Sequence, residues 1–429
     1  MRKAFLTFCT ALILPATASG APYEIPARWV EEAGLKAAAG SEFGFQGIGY
    51  FKGLGILVSS DALLLRIDDS GSPHVTLGLD DLAAGESPAA AWSPQAELFL
   101  GLSGGELENR RGFLLVNRNS DWQRIAGPRI DDAPRGWRFT HLEFSGDGTL
   151  WAVVRNRALG RSPSGRLGLA AMQWLARIYT YDGKAWTESP LPLPFTHTAV
   201  SDLCSDGEGL PWLVATAYNS DRAGAVVSSH AMVMHHRGGI WRTFVPPAPK
   251  ENSLRWQLES IACRPSGGPW LLGHFKAKPA EAAPGMLGWA SFVYERTPEG
   301  WRRHLGAKAE GSGPDCRGVR ALAIDEGGKA WAACSSGYKE SDRVVRFEGS
   351  GWVETPLPRL PSARYYHLRG IAFDGRGRGW AFTNVGGDAE TGSLRGVLLG
   401  RQAQGDWQEK GWNWSRMRQR WFGLVGALR

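Results

Sequence analysis

The sequence has little of what would make it a membrane, nucleic-acid or metal protein. No window holds 18 consecutive apolar residues, so no membrane span is expected. Charge of one sign is scarce too. With Arg2 and Lys3 set aside, 47 Lys and Arg stand against 42 Asp and Glu, a net of +5, too mild to argue for nucleic acid. There is no His-Glu-x-x-His, no phosphate loop and no EF-hand, so neither metal nor cofactor is expected. Cysteine is sparse, five in 429 residues. Long helices are disfavoured, because 56 Gly and 25 Pro punctuate the chain. Glycine without a triplet period excludes collagen, and the aromatic content excludes disorder.

What is there begins with a short leader. Arg2 and Lys3 precede an apolar run over 4–14, which Pro15 breaks before small residues at 16–21. That order reads as a secretory signal over 1–20. The expectation is a mature chain, 21–429, forming one domain in the periplasm or outside the cell.

The rest is a repeat. Trp151, Trp212, Trp270, Trp331 and Trp380 are spaced by 61, 58, 61 and 49 residues. Each has Gly three residues before it: Gly148, Gly209, Gly267, Gly328 and Gly377. Three have Asp six before it: Asp206, Asp325 and Asp374. A second series, Trp122, Trp186, Trp241, Trp301, Trp352 and Trp407, interleaves with the first. Degenerate units precede them at 89–128 and 47–78. Each unit reads as four short antiparallel strands, the signature of a propeller blade. The predicted fold is therefore all-β, a seven-bladed β-propeller, with six blades if the first unit is shared with the C-terminal tail. The tryptophans are assigned to the wedge between neighbouring sheets, where each ring buries ~150–250 Å². The Gly supplies a positive φ at the turn, and the Asp before it caps local amides.

The pattern Asp-x-x-Gly-x-x-Trp, followed by a Gly-x-Trp strand that often ends in Pro, resembles the two-component-regulator propeller repeat over roughly 89–407. That family supplies exported sensor halves of bacterial hybrid kinases. The chain carries no kinase segment, so signalling through an attached kinase is not expected. The segments WTESPLPLP and WVETPLPRLP also look like streptogramin-lyase propellers, which are enzymes. None of that family's catalytic residues can be matched here.

In such a blade the second-to-third-strand loops and the blade-to-blade linkers share one end. Here those segments are long (155–175, 217–231, 275–290, 384–394, 246–257 and 305–318), whereas the turns opposite are short. The long end is basic: Arg155, Arg157, Arg161, Arg166 and Arg177 occur without an acidic residue between them, as do Arg359, Arg364, Arg369 and His367. Trp137, Trp256, Trp289, Tyr365 and Tyr366 are interleaved with them. Arginine forks beside rings suit an anionic small molecule, an acidic saccharide or an acidic protein surface.

The first strands should line an axial channel. Aligned on the repeat, they place Thr140, Ser201, Glu259, Arg320 and Arg369 at one polar position, followed by His141, Asp202, Ser260, Ala321 and Gly370. The candidate ligand residues are His141, Asp202, Glu259, Arg320, Arg369, Trp256, Tyr366 and His367. A solvated channel with no ligand is the plainer reading of the same ring.

Catalytic patterns are weak. GLSGG at 101–105 matches a nucleophile elbow in letters but lacks the strand–turn–helix context. His235 and His236 are adjacent on a strand, so they point to opposite faces. His141, His197 and His367 could serve as acid–base groups only if they converge. Of the cysteines, Cys316 and Cys334 are placed to bridge, Cys263 reads as a buried core thiol, and Cys204 as a small residue in a tight position. Two functions follow. One is a non-catalytic exported propeller, expected to be a monomer, binding an anionic ligand or an envelope or sensor protein. The other is a propeller lyase or hydrolase acting on a polysaccharide or cyclic ester at the channel mouth.

Overall fold

The computed structural model describes strands and tight turns between Phe45 and Asn413. Outside the described residues lie 1–44, with the leader at 1–20, then 79–88, 160–171, 221–225, 250–255, 277–288, 307–315, 336–341, 359–365, 387–393, 414–429 and some shorter stretches.

Every described element is a strand, and each run of four consecutive strands forms an antiparallel meander. The first holds β1 (Phe45–Phe51), β2 (Gly55–Ser60), β3 (Leu63–Ile67) and β4 (Pro73–Gly78). The next holds β5 (Ala89–Trp92), β6 (Leu98–Gly104), β7 (Arg111–Arg118) and β8 (Asp121–Ala126). Then come β9 (Trp137–Phe144), β10 (Leu150–Leu159), β11 (Met172–Tyr181) and β12 (Trp186–Glu188). β13 (Thr198–Ser205), β14 (Pro211–Ser220), β15 (Val226–Arg237) and β16 (Ile240–Phe244) follow. β17 (Trp256–Ala262), β18 (Trp270–Lys276), β19 (Trp289–Thr297) and β20 (Gly300–Gly306) form another. β21 (Gly318–Ile324), β22 (Ala330–Ser335), β23 (Arg343–Phe347) and β24 (Trp352–Thr355) precede the last group. That group is β25 (Tyr366–Phe373), β26 (Gly379–Gly386), β27 (Leu394–Arg401) and β28 (Trp407–Asn413). A single parallel bridge, Leu175 to Thr198, merges the β9–β12 and β13–β16 groups into one sheet, giving six sheets among the described residues.

The first strands pack on one another in order: β5 on β9, β9 on β13, β13 on β17, β17 on β21 and β21 on β25. β1 packs on β25, so the N-terminal sheet lies beside the C-terminal one. A linear stack would leave those two at opposite ends; a propeller ring brings them together.

Strand alternation explains the cores. On β10, Leu150, Ala152 and Val154 pack towards the β5–β8 sheet with Leu114 and Trp137, while Trp151 and Val153 pack towards β13–β16 with Leu213 and Met234. Each seam between neighbouring groups from β5 onward repeats this pattern. The second strand β22 is buried along its whole length, whereas two of the four residues of the outer strand β24 are exposed.

The repeat residues do what their chemistry allows. Gly148, Gly209, Gly267 and Gly328 all take positive φ, between 74° and 91°, a region costly for any side chain. Asp206 accepts the amides of Glu208 and Leu210 through Oδ1 at 3.0 and 2.9 Å. Its Oδ2 takes the indole N–H of Trp212 at 2.9 Å, and Asp325 holds Trp331 at the same distance. Two tryptophans of the second series tie sheets together at their outer strands: Trp186 donates to Ala126 O at 2.9 Å and Trp241 to Ser189 Oγ at 3.0 Å.

Three expectations are revised. The supposed loop 155–175 is partly hairpin, since Arg155 pairs with Ala176 and the ladder runs on to Leu159 and Met172. Likewise 217–231 continues as paired strand to Ser220 and Val226; laddering satisfies backbone groups that a loop would leave to water. Cys204 and Cys263 are neither a small spacer nor a lone thiol, but are bonded to each other across the β13–β17 seam, S–S 2.02 Å. Cys316 and Cys334 form a second bridge, S–S 2.02 Å.

Candidate functional site

The polar position of the first strands coincides with a break in the ladder. On β9 the register steps from Val153 opposite His141 to Val154 opposite Phe139, leaving Thr140 as the extra residue. The same step leaves out Ser201 on β13, Glu259 on β17, Arg320 on β21 and Arg369 on β25. β1 has it at Gln46, a residue the repeat alignment did not reach. Each is a β-bulge, where two residues oppose one and the extra side chain is re-aimed. The bulges therefore fall at one equivalent position of six inner strands, each with a polar residue as the extra one, whereas β5 pairs without a break.

The side chains behind this ring are built as braces. Glu259 is exposed, and His274 Nε2, from the neighbouring strand β18, contacts its Oε2. His274 Nδ1 lies 3.0 Å from Ser291 Oγ, which is 3.2 Å from Val319 O on the next sheet. His274 and Ser291 are buried, with 5% and 0% exposure. Arg320 Nε lies 3.2 Å from Asp342 Oδ2, an ion pair out of hydrogen-bond line. Its Nη2 reaches the buried Ser335 Oγ at 3.4 Å. Asp342 is buried and accepts Leu368 N at 2.8 Å.

On β9 and β13, three ionisable groups share the inner wall. Burial lowers His141 below the usual histidine range, against the pull of the Asp202 charge and a bond to the Ser201 backbone. Burial raises Asp202, opposed by the His141 charge and by backbone amides. Those amides are Leu203 N at 2.8 Å and Ile261 N at 2.9 Å, the latter on the next inner strand. Burial pushes Glu143 up to about 7, although Ser205 donates to it, its N–H at 3.1 Å from Oε1. Asp202 and Glu143 thus hold adjacent inner strands together as much as they face the axis.

The predicted residues divide accordingly. His141, Asp202, Glu259 and Arg320 stand at or beside the bulges. Trp256 does not: it is 4% exposed and packs with Phe292 at 5.9 Å in the β13–β17 seam, so alternation turned inward a ring expected to face a ligand. Trp137 is also core, lying against Gly112 and Gly127. Tyr366, His367 and Arg369 lie on β25, but their side chains fall outside the described residues. His197, Tyr365, Arg161, Arg166, Arg359 and Arg364 lie outside them altogether. His274, Ser291, Asp342 and Glu143 escaped the sequence, although period-two alternation from Gln257 and the register opposite it would have put His274 and Ser291 on one face.

Other patterns resolve as structure. Ser103 of GLSGG sits within strand β6. His235 stacks on Trp212 at 4.0 Å, and His236 packs against Trp151 at 4.7 Å on the other face. Among the described residues no cluster of three metal-ligating side chains occurs, and no helix is long and apolar enough to cross a membrane.

No protein-family model and no curated protein matches the chain. Solved structures do resemble it. A prolyl endopeptidase structure matches with TM-score 0.52 and 13% identity, over 90% of this chain and 53% of its own. A streptogramin B lyase matches with TM-score 0.49 and 12% identity, over 79% of this chain and 90% of its own. An extracellular domain described as part of a hybrid two component system from B. thetaiotaomicron matches with TM-score 0.46 and 12% identity, over 86% and 46%. Both resemblances drawn from the repeat are thus found among solved structures. At such identities the likeness is one of fold, and the fold is an all-β propeller.

Proposed function

We propose that this protein is an exported, non-catalytic β-propeller that binds an anionic ligand at the axial mouth where the long connections gather. Residues 21–429 form one seven-bladed domain after a signal peptide at 1–20, the bridged eight-stranded sheet counting as two blades. The two disulfides favour an oxidising compartment, the periplasm or the exterior.

One observation carries the reading: a bulge at the same polar position of six inner strands, bearing Gln46, Thr140, Ser201, Glu259, Arg320 and Arg369. A bulge interrupts ladder bonding and re-aims a side chain, and bulges are over-represented next to active sites as well as at barrel rims. Arg320, braced from behind by Asp342, is prepared to hold an anion with little further loss of freedom. An acidic face of a partner protein would use the same arginines.

The test is binding of carboxylated and sulfated small molecules and saccharides to the mature protein and to the Arg320→Ala, Arg369→Ala double variant. The variant should bind at least tenfold more weakly with a nearly unchanged melting temperature. Glu326→Ala and Lys184→Ala, in the short turns opposite, should change neither. Equal loss at both ends would overturn the reading.

A second reading, a lyase or hydrolase at the same mouth, draws on Glu143, whose carboxyl is held up to about 7 on the wall that carries His141. A group titrating near neutral pH suits acid–base work. Turnover of a polysaccharide or cyclic ester that is lost in Glu143→Gln would favour it.

A further inference from the structure

Glu259 sits oddly in a ring proposed for anions. Its side chain is 53% exposed, yet a buried imidazole and hydroxyl stand behind it. The three residues have the members of a Ser-His-Glu relay, but with exposure reversed. In a nucleophilic site the hydroxyl must be reachable; here Ser291 has 0% exposure and the carboxylate faces out. The relay therefore serves the carboxylate.

The hydrogens can be assigned by counting donors. A Glu259 carboxylate only accepts, so His274 Nε2 carries a hydrogen, and in the neutral imidazole Nδ1 is then an acceptor. Ser291 Oγ has both Nδ1, at 3.0 Å, and Val319 O, at 3.2 Å, within reach of its one hydrogen, and giving it to the nearer Nδ1 satisfies the neutral imidazole. Register fixes the parts: His274 lies opposite both Gln257 and Ser291, so imidazole and hydroxyl share one sheet face. One oxygen of Glu259 is thus pinned by a rigid, buried donor, and the exposed remainder is held ready to accept another. The neighbouring inner strand presents Arg320, a cation, at the equivalent bulge.

We infer that His274 and Ser291 are positioning residues for Glu259, and that the axial site takes a carboxylate ligand bearing a hydrogen-bond donor beside its carboxylate. This rests on the anion-binding reading above. Arg320 takes the carboxylate and Glu259 takes the donor. Two sources share that chemistry, a hydroxy acid and an amino acid.

Propionate, lactate and alanine share a three-carbon acid scaffold and differ only in hydrogen, hydroxyl or ammonium at the second carbon. Their dissociation constants for the mature full chain, by ligand-observed NMR, test the inference. Lactate or alanine should bind about tenfold tighter than propionate, as one added bond to a charged group allows, and which of them wins identifies the source. Glu259→Ala should erase that preference and, by removing a like charge, leave propionate bound no more weakly than before. Ser291→Ala should cut it at least threefold, with propionate unchanged, and should move the His274 ¹⁵Nδ1 resonance; a variant that merely misfolded would lose propionate as well. Equal binding of the three acids, or a preference that Ser291→Ala leaves undiminished, overturns the inference and leaves the anion site standing. Propionate binding that survives Arg320→Ala, or no binding of any acid, overturns the anion site and the inference with it.

Discussion

Asp342 accepts the backbone amide of Leu368 at 2.8 Å, so a carboxylate leading into β23 is bonded to the inner strand of the following sheet. The same oxygen stands 3.2 Å from Arg320 Nε. One buried charge therefore closes a seam and orients an axial side chain.

Removing it should be expensive. Asp342→Ala orphans the Leu368 amide and strips Arg320 of its counter-charge, at a cost of about 3–5 kcal/mol. Asp342→Asn keeps an acceptor and should lose less than half of that. Chemical denaturation of the two variants checks the order. Equal losses would mean that the whole cost lies in the charge and that the retained acceptor contributes nothing.

Both disulfides can be counted directly. The cysteines at 204, 263, 316 and 334 are all paired. Alkylation of the unfolded, unreduced mature protein should add no label, and four after reduction. Cys204 and Cys263 are separated by 59 residues and Cys316 and Cys334 by 18. Replacing the first pair with Ser should therefore cost more, about 4 against about 3 kcal/mol on the chain-entropy account.

Glu143 gives the fold a pH dependence of known direction. Its carboxyl titrates at about 7 when folded, against 4.5 as the ordinary value. Between those values the folded chain holds a proton that the unfolded chain has lost, so this group lowers stability as pH rises from about 4.5 to about 7 and adds no slope above. The effect is on the order of 2–3 kcal/mol, reduced by the solvent that the side chain retains. Glu143→Gln keeps an acceptor for Ser205, and should flatten that slope and raise the melting temperature at pH 8. A variant less stable at pH 8 would reverse the argument.

The repeat Asp is a cap and an indole acceptor at once. Asp325→Ala removes the bonds from Lys329 N and Trp331 Nε1, both 2.9 Å, and should cost about 1–3 kcal/mol. Its exposed neighbour Glu326 should tolerate Ala within about 0.5 kcal/mol. Thermal unfolding of the pair separates a turn residue that holds a core ring from one that does not.

The sequence by itself determined the elements and the repeat. Glycine at positive φ, aspartate at the turn and tryptophan at the head of the second strand are local requirements, set by backbone sterics and by the period of two. They identify the all-β propeller, and the polar position of the inner strands, before any contact is known. Only the tertiary structure decided who meets whom across a seam. Trp256 faces the core, Cys204 finds Cys263 on the next inner strand, and Asp342 reaches Leu368, because stacking offsets between sheets are set by all of their side chains together. The bulges were likewise illegible, since a ladder break belongs to two strands at once. Glu259 was visible as a polar residue. That a buried imidazole and hydroxyl stand behind it follows from the register of β17 on β18 and β18 on β19, which one strand's sequence does not contain.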